Sequence, residues 1–300
     1  MSLSNLRRED SNMTPVDTIV QTKHARVSVR QSAGSGMPVL MIHGSGSSKD
    51  VFARQFAHPM ANDFRMIAID LPGHGESSDA EDPQLAYSLR GFADTVGEVI
   101  DQLGLKHVAV FGWSLGGHIA IELMHAHPAV AGLMLTGTPP VSHGMLAMLR
   151  GFHTGWDLLL TSKGQFTPRD VERFGRLCYG DAVTPSLLAA IRRADGRVRT
   201  TVFKGLMRGE GADQKRTVEE AVVPIAIVNG ANEPFARLSY LSSLNYRTLW
   251  GDKCHVIEGA AHAPFLTEPE VFNPMLQAFV ADVGRHSALV EDRKRKTGTA

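Results

Sequence analysis

The most informative segment of this 300-residue chain is Val108-Ala109-Val110-Phe111-Gly112-Trp113-Ser114-Leu115-Gly116-Gly117. It begins with a short apolar run, as expected of a strand buried on both faces, and residues 115–127 then show helical spacing. Between them stands Gly-x-Ser-x-Gly, the pattern of a serine at a sharp turn from strand to helix. The glycines on either side of Ser114 leave room for that turn, so its hydroxyl is expected to project above the sheet edge. An ordinary strand–helix turn would also be consistent with the Gly-x-Ser-x-Gly pattern, but the strand before it and the helix after it favour a nucleophilic serine.

The same alternation of apolar runs and helical patterns extends outward from this segment. Alternating strands and helices predict an α/β protein with a mostly parallel sheet and helices on both faces. The expected strands are an opening hairpin at 16–22 and 26–31, followed by runs at 38–42, 65–69, 107–111, 132–135, 225–228 and 253–257. The expected helices between them are at 51–60, 89–103 and 115–127.

The alternation stops at residues 141–220, which contain helical pieces at 145–160, 168–177 and 184–194 and no clear buried strand. We interpret this segment as a helical cap inserted before the last two strands. The α/β core is then predicted to comprise 16–140 and 221–284. Residues 1–15 are expected to form a flexible arm, and 285–300 a charged, solvated and disordered tail because of their composition.

Charge and cysteine content argue against several classes of function. The chain has 31 Lys+Arg and 31 Asp+Glu, so no nucleic-acid partner is expected, because such binding needs a basic surface. No apolar run reaches the roughly 18 residues of a membrane span, and no signal peptide is recognised, so we predict no membrane partner and a cytoplasmic protein. Cys178 and Cys254 are expected to be free thiols. No zinc-type cluster of ligands is evident, so no metal is expected.

Three further motifs accompany the serine pattern: Ile42-His43-Gly44-Ser45-Gly46, Leu71-Pro72-Gly73-His74-Gly75-Glu76-Ser77 and Gly259-Ala260-Ala261-His262-Ala263-Pro264-Phe265. Together with the serine pattern, in this order and spacing, they make the chain resemble the α/β-hydrolase fold family from about residue 38 to 280. The resemblance implies a mostly parallel central sheet flanked by helices, with a helical cap inserted before the last two strands.

The resemblance also implies a base and an acid for the serine, whose hydroxyl is a weak nucleophile at neutral pH. The family's catalytic histidine corresponds to His262. Its acid follows a strand and corresponds to Glu233, where aspartate is usual in the family. A glutamate can still hold the imidazole in the required tautomer. Asp252 is the alternative acid.

Acyl transfer also needs donors for the oxyanion that develops on the attacked carbonyl. The backbone N–H of Leu115, after the nucleophile, and the N–H of Ser45, after His43-Gly44, are the expected oxyanion hole. The glycine–lysine spacing of a phosphate-binding loop is missing near Ser45.

A narrower resemblance is to the metal-independent N-acyl-homoserine lactonases of this fold. Three runs carry it: Phe111-Gly112-Trp113-Ser114-Leu115-Gly116-Gly117-His118-Ile119, Thr136-Gly137-Thr138-Pro139-Pro140-Val141, and Val228-Asn229-Gly230 with Asn232-Glu233-Pro234-Phe235. That group also uses Glu as the triad acid. Ser45 stands where those relatives carry Asn, and Phe174 lies near the place of their cap tyrosine. The resemblance implies a serine hydrolase that opens N-acyl-homoserine lactones without a cofactor or metal.

The substrate is therefore expected to be a small lactone or ester held in an apolar pocket. Candidate pocket residues are Gly44, Trp113, Met145, Trp156, Phe174 and Phe235. A general carboxylesterase is the alternative function. A receptor of the same fold that binds a small signal is a third hypothesis, and a lyase with the same triad is a fourth. No oligomeric state is predicted.

Overall fold

The computed structural model describes residues 14–155 and 157–297. Thirteen residues of the predicted arm, 1–13, lie outside the described residues, and so do Trp156 and 298–300.

Within the described residues, eight strands form one sheet in the order β1-β2-β4-β3-β5-β6-β7-β8. The strands are β1 (Val16–Gln21), β2 (Arg26–Gln31), β3 (Gly36–Ile42), β4 (Phe64–Ile69), β5 (Val108–Trp113), β6 (Val130–Thr136), β7 (Ile225–Gly230) and β8 (His255–Ile257). The β1–β2 and β2–β4 pairs are antiparallel, as the predicted opening hairpin requires, and all other pairs are parallel. The predicted mostly parallel sheet is confirmed.

Helices follow most of the parallel strands, and a group of them lies between β6 and β7 as the predicted cap. The helices are α1 (Ala53–Phe56), α2 (Met60–Asp63), α3 (Pro83–Ala86), α4 (Leu89–Gln102), α5 (Leu115–Ala126), α6 (Met145–Gly151), α7 (Pro168–Tyr179), α8 (Pro185–Arg193), α9 (Arg197–Arg208), α10 (Gln214–Glu219), α11 (Leu238–Ser242), α12 (Pro264–Thr267) and α13 (Pro269–Thr297). None of the helices in the described ranges is long and apolar enough to cross a lipid bilayer.

The central strand β5 is buried on both faces because side chains alternate across a sheet. Val110 packs into an apolar cluster on the face covered by α4 and α5. Phe111 packs into a second cluster on the opposite face, 5.4 Å between ring centroids from Phe265. These two layers fix the end of β5 and hence the position of Ser114.

The charged end of the chain is helical, which corrects the predicted disorder of this tail, although most of its side chains are exposed. Helix α13 continues through the charged run to Thr297. Ion pairs at i,i+4 spacing, such as Lys296 with Asp292 at 2.7 Å, support it. His107 Nε2 lies 2.7 Å from Glu291 Oε1 and ties this end of the helix to the core.

The cap also departs from the expected pattern at 145–160, where a single helix was predicted. Helix α6 ends at Gly151 because Phe152 is extended and forms an isolated antiparallel bridge with Ala236. The His153 N–H then donates to the Phe235 carbonyl at 2.8 Å. This bridge joins the cap to the loop that carries Glu233.

Candidate active site

Ser114 lies at the tight turn between β5 and α5. Its φ is 54° and its ψ is −120°, a region that a residue with a side chain rarely occupies. The turn is held by close packing, because a Cβ on Gly116 would lie 2.1 Å from the Ile42 carbonyl oxygen. The Ser114 N–H donates to the Thr136 carbonyl at 2.8 Å. The backbone is thus fixed on both sides, and it presents the hydroxyl at the carboxyl edge of the sheet.

Glu233 and His262 meet at the same edge, in the loops after β7 and β8. His262 Nδ1 lies 2.9 Å from Glu233 Oε1 and 2.8 Å from Oε2, so the imidazole N–H donates to the carboxylate. Both side chains are almost completely buried. Asp252, the alternative acid, is exposed and has no contact with His262 in the described structure. The pairing predicted for Glu233 is the one that the fold forms.

The Glu233 carboxylate is held as an anion. Its Oε1 accepts the backbone N–H groups of Phe235 at 2.8 Å and of Ala236 at 3.1 Å. Burial alone would raise the pKa of Glu233, but attraction to His262 and these hydrogen bonds outweigh it and lower the pKa below its ordinary value. The carboxylate is therefore ready to orient the imidazole and to stabilise a positive charge on it.

His262 is fixed by its aromatic neighbours as well as by Glu233. Trp113 Nε1 donates to the His262 carbonyl at 2.8 Å, and its ring centroid lies 5.4 Å from the imidazole. The Phe235 ring contacts the imidazole edge-on at 4.7 Å. No hydrogen bond joins the Ser114 hydroxyl to His262 within the described part of the chain. Catalytic hydrogen bonds often become short only when substrate binds.

Gly137 is a positioning residue that sequence reasoning missed. It follows β6 with a φ of +63°, and a Cβ there would lie 2.5 Å from His262 Cε1. We expect Gly137→Ala to push the imidazole away from the serine and to lower kcat by about 100-fold, because small misplacements of a catalytic group cost that much.

Steady-state kinetics of the purified Gly137→Ala variant test this expectation. A matched control is Gly104→Ala, because Gly104 also has positive φ (+67°) but no atom within 4 Å of the added Cβ. Equal kcat values for Gly137→Ala and Gly104→Ala would contradict the positioning role.

The loop after β3 lies directly against the serine. A Cβ on Gly44 would stand 3.1 Å from the Ser114 Cβ. His43 holds the loop, because its Nδ1 donates to the Gly44 carbonyl at 2.8 Å and its Nε2 accepts the Leu71 N–H at 3.0 Å. The Ser45 N–H has no acceptor among the described residues, and the buried Ser45 hydroxyl also has no partner there. Free donors are therefore available beside Ser114, at the place predicted for the oxyanion hole.

Leu115 supplies the second predicted donor. It is the first residue of α5, so its N–H has no partner within the helix. The positive end of the helix dipole lies at the same point, which favours negative charge near Ser114.

A cavity with about 850 Å³ of free space, including its mouth, lies between the cap and the sheet edge. Its lining includes the predicted residues Ser114, His262, Ser45, Leu115, Gly44, Trp113, Phe174 and Phe235. Glu233 lies behind His262 and is not part of the lining. The cap adds mostly apolar side chains: Met148, Phe152, Leu158, Val202, Phe203 and Leu206. Such a lining suits an apolar chain attached to the reacting group.

Met145 is a wrong prediction among the pocket residues. It is 60% exposed, whereas Met148, nearly one turn later in α6, lines the cavity. The two residues share a face of α6, but Met145 is the first residue of the helix and lies at its exposed end. Trp156 lies outside the described residues, so its place in the pocket stays a prediction.

Two polar residues of the lining, His118 and Arg199, were also missed. Arg199 is 4% exposed, its Nη1 has no hydrogen-bond partner in the described ranges, and its guanidinium stacks 3.9 Å from the Phe166 centroid. Burial lowers its pKa to about 10. Sequence patterns assign such a residue to the surface. His118, in contrast, follows Ser114 by four residues in α5, and that spacing could have revealed it.

The described residues contain no group of three or more His, Cys, Asp or Glu arranged to hold a metal ion. The site instead combines a strained serine, a buried carboxylate–imidazole pair and free backbone donors beside one apolar cavity.

A family model described as the alpha/beta hydrolase family matches residues 39–275. The chain belongs to the α/β-hydrolase family. Among solved structures, N-acyl homoserine lactonase AidH matches it at 44% identity with a TM-score of 0.88, over 90% of this chain and 98% of the other. Structures of that lactonase contain N-hexanoyl homoserine, N-hexanoyl homoserine lactone or N-butanoyl homoserine.

Curated relatives of this α/β hydrolase include pimeloyl-[acyl-carrier protein] methyl ester esterases from several bacteria. The one from Methylococcus capsulatus is 30% identical over 266 residues, which is 84% of this chain and 97% of the relative. The one from Neisseria meningitidis serogroup A is 28% identical over 270 residues, which is 85% of this chain and 81% of the relative. The relatives therefore include both a lactonase and carboxylic-ester hydrolases.

Proposed function

We propose that this α/β hydrolase opens the lactone ring of N-acyl-homoserine lactones through a triad of Ser114, His262 and Glu233. The observation that carries the proposal is the buried Glu233–His262 pair at the cavity that Ser114 also lines. The likeness to a lactonase at 44% identity supports the choice of lactone among the esters. The reaction would quench quorum signals of this chemical class.

In the first step, His262 removes the proton of the Ser114 hydroxyl, and the oxygen attacks the lactone carbonyl. His262 acts through Nε2, because Nδ1 donates to Glu233. The Ser45 and Leu115 N–H groups receive the developing oxyanion, and each such donor contributes roughly 3–4 kcal/mol at the barrier. The positive charge on His262 is balanced by the carboxylate behind it.

In the second step, the ring C–O bond breaks and the leaving alkoxide takes the proton from His262. The alkoxide belongs to the same molecule as the carbonyl, so it stays in the site as the hydroxyl of an acyl-enzyme. His262 then removes a proton from water, and the water oxygen attacks the acyl carbon. The bond from that carbon to Ser114 breaks, and the Ser114 oxygen takes the proton from His262. This step must precede attack by the tethered hydroxyl, which would close the ring again. The product is an N-acyl-homoserine.

Relative rates on two substrates test this proposal. We expect kcat/KM for N-hexanoyl-homoserine lactone to exceed that for p-nitrophenyl acetate by about 10-fold or more, although the aryl ester is chemically more reactive. The measurement is steady-state kinetics of enzyme treated with a chelator, because the triad supplies both nucleophile and base. A faster reaction with the aryl ester would favour the second candidate.

That second candidate is a carboxylesterase for small esters, and it is favoured by the methyl ester esterases among the relatives. A receptor that binds a small signal is the third. Repeated turnover without any protein partner would argue against the receptor, because a receptor needs only a slow triad.

A further inference from the structure

His118 is a buried histidine in the substrate cavity that the triad does not use. It lies one turn after Ser114 on α5, is 6% exposed, and lines the cavity. The spacing of four residues places the two side chains on the same face of the helix. His118 is therefore beside the reacting centre but has no part in the proton transfers of Ser114 and His262.

Gln214, from the cap helix α10, fixes the tautomer of His118. The Gln214 Nε2 donates to the His118 carbonyl at 3.4 Å, which leaves its Oε1 as an acceptor. His118 Nδ1 lies 2.7 Å from that oxygen, so Nδ1 carries the proton. A neutral imidazole with its proton on Nδ1 has a lone pair on Nε2. That nitrogen has no hydrogen-bond partner among the described residues.

The ring is also held in place by packing and stays uncharged. Phe152 stacks on it with an interplanar angle of 27° and 5.9 Å between centroids. Burial lowers the pKa of His118 to about 4, and the hydrogen bond that His118 donates to Gln214 only partly opposes this. At neutral pH the cavity therefore contains a rigid hydrogen-bond acceptor that cannot become a donor.

We infer that His118 Nε2 accepts the amide N–H of an N-acylated substrate. This inference rests on the proposed function. It narrows the substrates to those that carry an N–H on the carbon next to the reacting carbonyl. Most of the remaining lining is apolar, so an acceptor without a partner there needs a donor from the ligand. The amide nitrogen of an N-acyl-homoserine lactone is attached to the carbon beside the carbonyl that Ser114 attacks, which suits a residue one helical turn away.

A matched substrate pair tests the inference in the wild-type enzyme. The probes are N-hexanoyl-homoserine lactone and α-hexanoyloxy-γ-butyrolactone, in which oxygen replaces the N–H. Each kcat/KM is divided by the rate constant of hydroxide-catalysed ring opening to remove intrinsic reactivity. We expect the amide to be favoured by at least about 10-fold, because the oxygen isostere leaves the buried acceptor unpaired. A corrected ratio near one would overturn the inference.

A double variant removes the acceptor without leaving a buried amide unpaired. His118→Phe keeps an aromatic ring against Phe152, and Gln214→Leu removes the polar partner. We expect kcat/KM of the amide lactone to fall at least 10-fold more than that of the oxygen isostere. An equal loss on both substrates would mean a packing role only, and would also overturn the inference. The control is His125→Phe, an exposed histidine on the same helix, which should leave the ratio unchanged.

Failure of the proposed function gives a different result. If neither lactone is opened while p-nitrophenyl acetate is hydrolysed, the lactonase proposal is wrong. The N–H contact is then tested with two open-chain esters in place of the lactones, methyl N-hexanoylglycinate and methyl hexanoyloxyacetate. A preference for the glycinate that the double variant loses would then support the N–H contact by itself. Equal use of the two esters would overturn it.

Discussion

Replacing Ser114 with alanine is expected to lower kcat/KM by about 10⁴-fold or more on both lactones and aryl esters. The hydroxyl is the only group that the proposal places in covalent contact with the carbonyl carbon. Free backbone donors at Ser45 and Leu115 would remain, so a weak residual acceleration over water is expected. The fold should persist, because alanine meets the same strain as serine at a φ of 54°.

The control for Ser114→Ala is Ser186→Ala, an exposed serine in the cap that should keep full activity. Thermal unfolding of both variants should agree with the wild type, within about 1 kcal/mol in the free energy of unfolding. Loss of a triad nucleophile lowers kcat/KM by several orders of magnitude. If Ser114→Ala kept more than about a tenth of the wild-type kcat/KM, Ser114 would not be the nucleophile.

Glu233→Gln is expected to lower kcat by about 10³- to 10⁴-fold, although it changes almost no volume. Two backbone N–H groups donate to Oε1, so the amide oxygen of glutamine should take that position. The amide NH₂ would then face His262 Nδ1 and force it to accept a hydrogen bond. The imidazole proton would move to Nε2, which could no longer receive the proton of Ser114.

The matching control is Asp252→Asn, which neutralises the alternative acid. Because Asp252 is exposed and does not contact His262, we expect kcat to change by no more than about twofold. This is far less than the loss of kcat that removal of a triad acid causes. If Asp252→Asn were the more damaging of the two variants, the assignment of Glu233 as the acid would be wrong.

Much of the core could be predicted because its signals are local. The apolar run of β5 predicts a strand that is buried on both faces. The glycines around Ser114 restrict the conformation of the turn that follows. The cap was harder. Helix α9 turns Arg199 inward, and a charged residue on the buried face breaks the apolar pattern that identifies a helix. Helix α6 ends early because of a long-range bridge between Phe152 and Ala236, which no local pattern contains.

The end of α13 shows the opposite error. Composition predicted a disordered tail, yet the acidic and basic residues near 291–296 alternate at the spacing that forms ion pairs along a helix. Composition alone does not record that order.

The residues of the candidate site also fall into those that could be predicted and those that could not. Resemblance to the family placed Ser114, His262 and Glu233, and the fold brings the last two into contact. The sequence could not show that Gly137 lies against His262, since that contact joins the ends of two strands that are distant in the chain. Nor could it show that a cap glutamine fixes the tautomer of His118, because Gln214 is 96 residues away. These contacts decide geometry and specificity, and only the folded chain contains them.

Ring opening by the serine can be observed directly by mass spectrometry of N-hexanoyl-homoserine lactone incubated with chelator-treated enzyme and, in parallel, with Ser114→Ala. We expect the wild type to add one water to the lactone and mild acid to reverse the change by closing the ring. The variant should leave the lactone intact. Acid reversal distinguishes ring opening from amide cleavage. An unchanged lactone in the presence of enzyme that still hydrolyses p-nitrophenyl acetate would contradict the lactonase proposal, and ring opening by Ser114→Ala would contradict the serine mechanism.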